Sequence, residues 1–197
     1  MNIAIHYLRL LIIIFFCLSC HVASCQKYVE SVQLYDVIKK EFYNTKQLMG
    51  SKGLVLVFYG LDCPFSLQYE DKIRALRSVY EPKGVNFVLV DANDPSVGQK
   101  VTISRMRKKA TELNMAYMSD QSQAAMSALR VSKNGEVVVI TVFEDSYKVF
   151  YRGSIDNNPL TPDMADDDYL RASLDNLVAG KSAAPFRNTR ANGCRIR

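Results

Sequence analysis

Leu54-Val55-Leu56-Val57-Phe58-Tyr59-Gly60-Leu61-Asp62-Cys63-Pro64-Phe65-Ser66 is the stretch that decides the fold of this chain. Its first six residues are continuously apolar and β-prone, the pattern of a strand buried on both faces. Beyond Cys63, Tyr69, Ile73, Leu76 and Tyr80 recur at three- and four-residue steps while Glu70, Asp71, Lys72, Arg74 and Arg77 fill the other faces, which predicts one amphipathic helix starting at Pro64. Proline suits a first turn because the N–H it lacks has no partner there. Cys63 is thereby placed at a helix N-terminus, where free N–H groups and the positive end of the dipole lower a thiol pKa and favour the nucleophilic thiolate.

Working outward, Pro82-Lys83-Gly84 ends that helix, and Val85-Asn86-Phe87-Val88-Leu89-Val90 is a second buried strand. Residues 54–90 therefore read as a βαβ unit with a parallel strand pair. Upstream, the loose alternation of Val32 to Val37 and of the segment through Tyr43 predicts an N-terminal hairpin. Downstream come a basic helix over Ser104 to Leu113 with Met106, Ala110 and Leu113 on one side, a short apolar piece at Ala116-Tyr117-Met118, and a helix at about 121–130. Glu136 to Phe143 and Tyr147 to Arg152 form an antiparallel hairpin, and Leu170, Leu174, Leu177 and Val178 mark a closing helix stopped by Gly180. The order predicts a single α/β domain of thioredoxin-like fold, a mixed central sheet flanked by helices, with a C-terminal tail at 181–197.

The first 25 residues stand apart. Arg9 is their only fixed charge, and Leu10 to Leu18 is an apolar stretch of signal-peptide length, shorter than a membrane span. The chain is expected to be exported, to the periplasm or the cell envelope. Two exits compete: Val22-Ala23-Ser24-Cys25 has the form of a lipobox, in which Cys25 is lipidated and anchors the chain to a membrane, and Ala23 and Cys25 also fit ordinary cleavage before Gln26, with an uncleaved anchor as a third outcome. Either exit leaves Cys63 and Cys194 as the only cysteines of the five in the soluble body, and removes both histidines, His6 and His21. A body without histidine does not run Cys-His or Ser-His-Asp chemistry, and no metal site is expected from two thiols without imidazole. The formal charge of +5 is scattered, with no aromatic-interleaved basic stripe, so nucleic acid is not an expected partner.

The chain resembles the thioredoxin-like redoxins of the peroxiredoxin-like branch of the alkyl hydroperoxide reductase and thiol-specific antioxidant superfamily. The resemblance runs over nearly all of 30–197 and is carried by the strand-Cys-Pro-helix at Val55 to Tyr69, by Lys83-Gly84-Val85-Asn86-Phe87-Val88, by Asp120-Gln121-Ser122-Gln123, by Tyr151-Arg152-Gly153-Ser154-Ile155-Asp156 and by the terminal Gly193-Cys194-Arg195-Ile196. There are three departures. Ser66 stands where thioredoxins have their second thiol, Gly60 stands where peroxiredoxins place a Thr, and Val131-Ser132-Lys133-Asn134-Gly135-Glu136 has no proline where the family has a cis-Pro.

The resemblance implies a thiol oxidoreductase without metal, nucleotide or flavin, acting on protein disulfides or peroxide and recharged by an external thiol. Cys63 is the candidate nucleophile, and the alternative for it is an inert buried cysteine. Cys194 resolves an oxidised Cys63, or ties the tail down in a structural disulfide, for which the two Cα atoms must lie within about 7 Å, or is not bonded to Cys63 at all. Ser66 either donates to the thiolate or satisfies a first-turn N–H, and Arg152 either faces the thiol or is an ordinary strand-end Arg. Asp62, next to Cys63, opposes thiolate formation. The acidic run Asp163 to Asp168 reads as a solvated lead-in to the last helix. Against the enzyme stands a thioredoxin-like module whose chemistry has lapsed into a binding or scaffold role.

Overall fold

The computed structural model describes residues 28–94, 102–143, 146–186 and 189–197. The predicted signal segment 1–25 lies outside them. Eight strands form one sheet: β1 Tyr28–Val29, β2 Gln33–Asp36, β3 Glu41–Asn44, β4 Gly53–Phe58, β5 Val85–Asp91, β6 Tyr117–Ser119, β7 Val137–Phe143 and β8 Ser146–Gly153. Their order across the sheet is β1-β8-β7-β4-β5-β6-β2-β3. β4 pairs parallel with β5 and antiparallel with β7, so the strand that decided the sequence reading lies in the middle. The predicted hairpins are β2–β3 and β7–β8, while the two-residue β1, added to the β8 edge, has no counterpart in the sequence reading.

β4 explains its own composition. All six residues are buried; Val55 and Val57 join a cluster on one face of the sheet, and Leu54, Leu56 and Phe58 join a second cluster on the other. A strand lined by core on both sides has no polar face, which is why its sequence does not alternate. The first cluster is closed by the helices α3 Glu70–Tyr80 (through Ile73, Leu76 and Tyr80), α4 Ile103–Leu113 (through Met106, Ala110 and Leu113) and α6 Tyr169–Val178 (through Leu170, Leu174 and Leu177). The second is closed by α5 Ala124–Leu129 and by Ile196 of the tail. A short helix, α1 Thr45–Leu48, follows β3.

Two boundaries differ from the periodicity. The single helix expected from Pro64 is two, α2 Pro64–Gln68 and α3, divided at Tyr69, whose φ of −92° and ψ of −1° leave the α-helical well. The break lets the Tyr69 hydroxyl donate to the buried Asp156 carboxylate at 2.5 Å, while Lys72 pairs with the same carboxylate at 2.7 Å and with Asp168 at 3.2 Å. The acidic run is thus partly structural: Asp168 also caps α6 by accepting the Arg171 N–H. The helix expected at about 121–130 starts late, at Ala124, because the Asp120 carboxylate holds the N–H groups of Ala125 and Met126 and Gln123 takes a positive φ of 56° before it.

Candidate active site: a cystine under the C-terminal tail

β4 runs off its last rung through Tyr59, whose N–H still donates to Val90, into the turn Gly60–Cys63. The Cys63 N–H donates to the Gly60 carbonyl (3.1 Å), and the Cys63 carbonyl accepts from Ser66 and Leu67 (2.9 and 3.2 Å), so Cys63 is the cap residue of α2. Its sulfur is bonded to that of Cys194, with the Cα atoms 5.8 Å apart and 131 residues between them in sequence. Cys63 is only 2% exposed. Cys194 is half-buried, and its N–H lies 3.3 Å from the Cys63 sulfur.

The tail is seated as a strand. Asn134 N–H donates to the Cys194 carbonyl at 2.8 Å and Ile196 N–H to the Ser132 carbonyl at 3.0 Å, an antiparallel bridge centred on Lys133 and Arg195. Thr189 anchors the tail's root by accepting the Ser154 N–H at 2.9 Å and pairing with the Tyr151 hydroxyl at 2.5 Å. Gly153, in the Tyr-Arg-Gly block, has to be glycine here, because a side chain would run into Thr189.

Beneath the cystine lies a polar network. Asp91, at the end of β5 and 1% exposed, accepts from the N–H and carboxamide of Asn93 (2.8 Å each) and from the Tyr117 hydroxyl (3.2 Å). Burial pushes the Asp91 carboxyl above its ordinary pKa. The carboxamides of Asn93 and Asn134 meet at 3.4 and 3.5 Å, and the Asn134 N–H is the one holding Cys194. The charge beside the site is cancelled: Asp62 forms a two-pronged pair with Arg105, at 2.9 and 2.5 Å, and that hydrogen bond holds its carboxyl below the usual carboxylate value. The opposition to a thiolate expected from Asp62 is correspondingly reduced.

The family model named Redoxin matches residues 14–167, most of the chain and all of the Cys63 turn. The chain belongs to the Redoxin family. It is therefore a thioredoxin-like redoxin, of a family of thiol oxidoreductases whose substrates are thiols or peroxide. Among solved structures it is similar to an uncharacterized conserved protein of Geobacillus kaustophilus (24% identity, 87% of this chain and 90% of that one, TM-score 0.76). It is also similar to a hypothetical protein of Sinorhizobium meliloti 1021 (19%, 87% and 92%, TM-score 0.74) and to a peroxidoxin of Mycobacterium tuberculosis (17%, 80% and 97%, TM-score 0.57). These likenesses establish the fold. No curated protein matches the chain.

In this redoxin Cys63 and Cys194 are together, and Ser66 and Arg152 are engaged elsewhere. Ser66 is buried and its hydroxyl accepts the Gly60 N–H at 3.2 Å, a donor in the turn before α2 and not in the helix's first turn. Arg152 lies on β8 opposite Val138, and Val138 pairs with Leu56, two residues back from the end of β4; its guanidinium donates to the Leu129 carbonyl at 3.3 Å. Gly60 packs where a Cβ would come within 2.7 Å of the Asn134 carboxamide, so the position that holds Thr in peroxiredoxins is filled from across the turn. The prolineless segment 131–136 has no cis peptide bond among the described residues. The Asp91–Asn93–Asn134 network was missed by sequence reading. Its only signal is an Asp at the end of a buried strand, directly after the apolar run Phe87 to Val90.

Proposed function

We propose that this redoxin is an exported thiol-disulfide oxidoreductase that cycles between the Cys63–Cys194 disulfide and the dithiol. The observation that carries the reading is the asymmetry of the cystine. The external thiol attacks the sulfur of Cys194, the more exposed residue of the pair, forming a mixed disulfide and breaking the bond to Cys63, which leaves as the thiolate. The leaving thiolate sits at the start of α2 and 3.3 Å from a backbone N–H, both of which favour the charged form. A second thiol of the reductant then attacks its own sulfur, releasing the Cys194 thiol. In the working direction the Cys63 thiolate attacks a substrate disulfide and expels one substrate thiol, and Cys194 attacks the Cys63 sulfur and expels the other. One substrate disulfide becomes two thiols while two protein thiols become one disulfide.

Thiol-disulfide exchange is favoured over peroxide reduction by the groups around the sulfur. Gly60 offers no hydroxyl, and the nearest charged pair in sequence, Asp62–Arg105, is internally satisfied. Export rests on the apolar run at Leu10 to Leu18, with Cys25 as a site of lipidation or loss and a membrane-attached or periplasmic product. Among the described residues no helix is long and apolar enough to cross a membrane.

A second reading is favoured by the burial of Cys63: the disulfide is a clamp for the tail in a binding module. One experiment separates the two. The oxidised mature protein is equilibrated in glutathione buffers of graded ratio, quenched with alkylating agent and weighed, then assayed for thiol-dependent reduction of insulin. Reversible titration of both cysteines with turnover supports the enzyme. A disulfide opened only under denaturant, with no turnover, supports the clamp.

A further inference from the structure

The tail is held by features that do not depend on its being part of the same chain. Between residues 132 and 134 the protein offers one carbonyl and one N–H to an extended antiparallel segment, and beside them the sulfur of Cys63. Each position of the seated segment meets a different demand. The residue before the cysteine, Gly193, lies against the main chain of Asn134, and any Cβ there would run into the Asn134 carbonyl oxygen. The residue after it, Arg195, is exposed. The next, Ile196, is 7% exposed and packs into the second core cluster with Leu129, Val131 and their neighbours. Three residues before the cysteine, Ala191 is buried and its carbonyl accepts from the Lys133 ammonium at 3.0 Å.

We propose that this slot recognises an extended segment of a partner protein of the form small-x-Gly-Cys-x-aliphatic, and that the tail is its tethered occupant. The inference rests on the thiol-disulfide reading above and adds to it the substrate class. Main-chain pairing with an edge segment supplies affinity, and pockets for particular side chains supply selectivity. Once the disulfide is reduced, the tail beyond Thr189 is held at the slot by the bridge and by Ile196, and a partner segment competes for the same groups. The step is balanced: the Cys63 thiolate attacks the partner's half-cystine sulfur, the Cys63–partner bond forms, and the partner's other sulfur leaves as a thiolate that takes a proton from water.

The test uses the full mature chain carrying Cys194→Ala, reduced, so that Cys63 is its only thiol and a mixed disulfide accumulates. The probes are the symmetrical disulfides of three hexapeptides, Ala-Asn-Gly-Cys-Arg-Ile, Ala-Asn-Ala-Cys-Arg-Ile and Ala-Asn-Gly-Cys-Arg-Asp, with hydroxyethyl disulfide as a small reference. Adduct formation at Cys63 is followed by mass spectrometry. The first peptide is expected to react about tenfold faster than either of the others, relative to the reference. Rates for the three within about twofold of one another overturn the slot and leave the thiol chemistry standing. Failure of Cys63 to react with any probe, the reference included, overturns the enzyme reading and the slot with it. A second variant, Gly193→Ala with Cys194→Ala, unseats the tail while leaving the slot intact. It is expected to raise the rate with the first peptide and keep the order of the three; an unchanged rate contradicts the tail's role as occupant.

Discussion

Reducing the Cys63–Cys194 bond frees a long loop, and the size of that loop sets how much stability is lost. The cysteines are 131 residues apart. Closing a loop of that size removes chain entropy from the unfolded state worth about 5 kcal/mol at 25 °C. The oxidised protein is therefore expected to unfold at a guanidinium concentration about 1 M higher than the reduced protein or Cys194→Ser. The chain has 11 tyrosines and no tryptophan, so far-UV circular dichroism and tyrosine emission are the probes, read together to check for a single transition. The same quantity shifts the redox couple. What the disulfide adds to folding, folding adds to the disulfide, and about 5 kcal/mol makes the folded couple about 100 mV more reducing than the same thiols in the unfolded chain. A couple shifted in this way is a weaker oxidant of partner thiols than the unfolded chain's couple. A reduced form that unfolds within about 0.2 M of the oxidised one, or beyond it, would refute the reasoning, because the folded state would then be strained by its own disulfide.

Lys72→Met strips the buried Asp156 carboxylate of its ammonium partner; a loss of about 3–5 kcal/mol, seen as a melting temperature lowered by about 10 °C, is expected, and a shift under about 3 °C would count against it. Asp91→Asn preserves the shape of the network, since Asn Oδ1 still accepts from Asn93 and its amide can donate to the Tyr117 oxygen while Tyr117 donates to Tyr59. The Asp91 carboxyl is raised by burial, so its charged form costs stability; that cost is absent below the unfolded carboxylate pKa of about 3.9 and grows as pH rises through the folded value. Denaturation midpoints of the two proteins at pH 4 and pH 7.5 should therefore move apart in favour of Asn at the higher pH, and a gap independent of pH would exclude the mechanism. Gly60→Thr forces a side chain into the Asn134 carboxamide and is expected to cost about 1–3 kcal/mol in urea unfolding; a neutral result would show that the turn yields freely.

The fold was legible because its deciding strand is unambiguous: a run buried on both faces has no other arrangement than the middle of a layered sheet. The hydrophobic stripes of α3, α4 and α6 were legible for the same reason, each being an apolar face against one side of that sheet. The break at Tyr69 was not, because its cause is a carboxylate 87 residues away. The site divided likewise. Cys63 declared itself by local context, as a thiol between a strand and a Pro-started helix. The pairing of Cys63 with Cys194 was one of several open outcomes, because nothing local in 181–197 says that the tail returns to the sheet. The glycines at 153 and 193 and the anchor at Thr189 specify that return, and their meaning depends on what they touch.

The three departures from the family pattern have one physical explanation. A second thiol three residues after Cys63 would sit on the same helix turn; here that position is Ser66, which accepts the Gly60 N–H and holds the turn closed. A side chain at Gly60 would displace Asn134, and Asn134 is needed to present its N–H to the tail. A proline at 134 would have no N–H to present, and the Cys194 carbonyl would lose its partner. Serine, glycine and asparagine at these positions are each compatible with the seated tail. The second half-cystine comes from a strand 131 residues further along the chain instead of from the same helix turn, and the groups around Cys63 accommodate it.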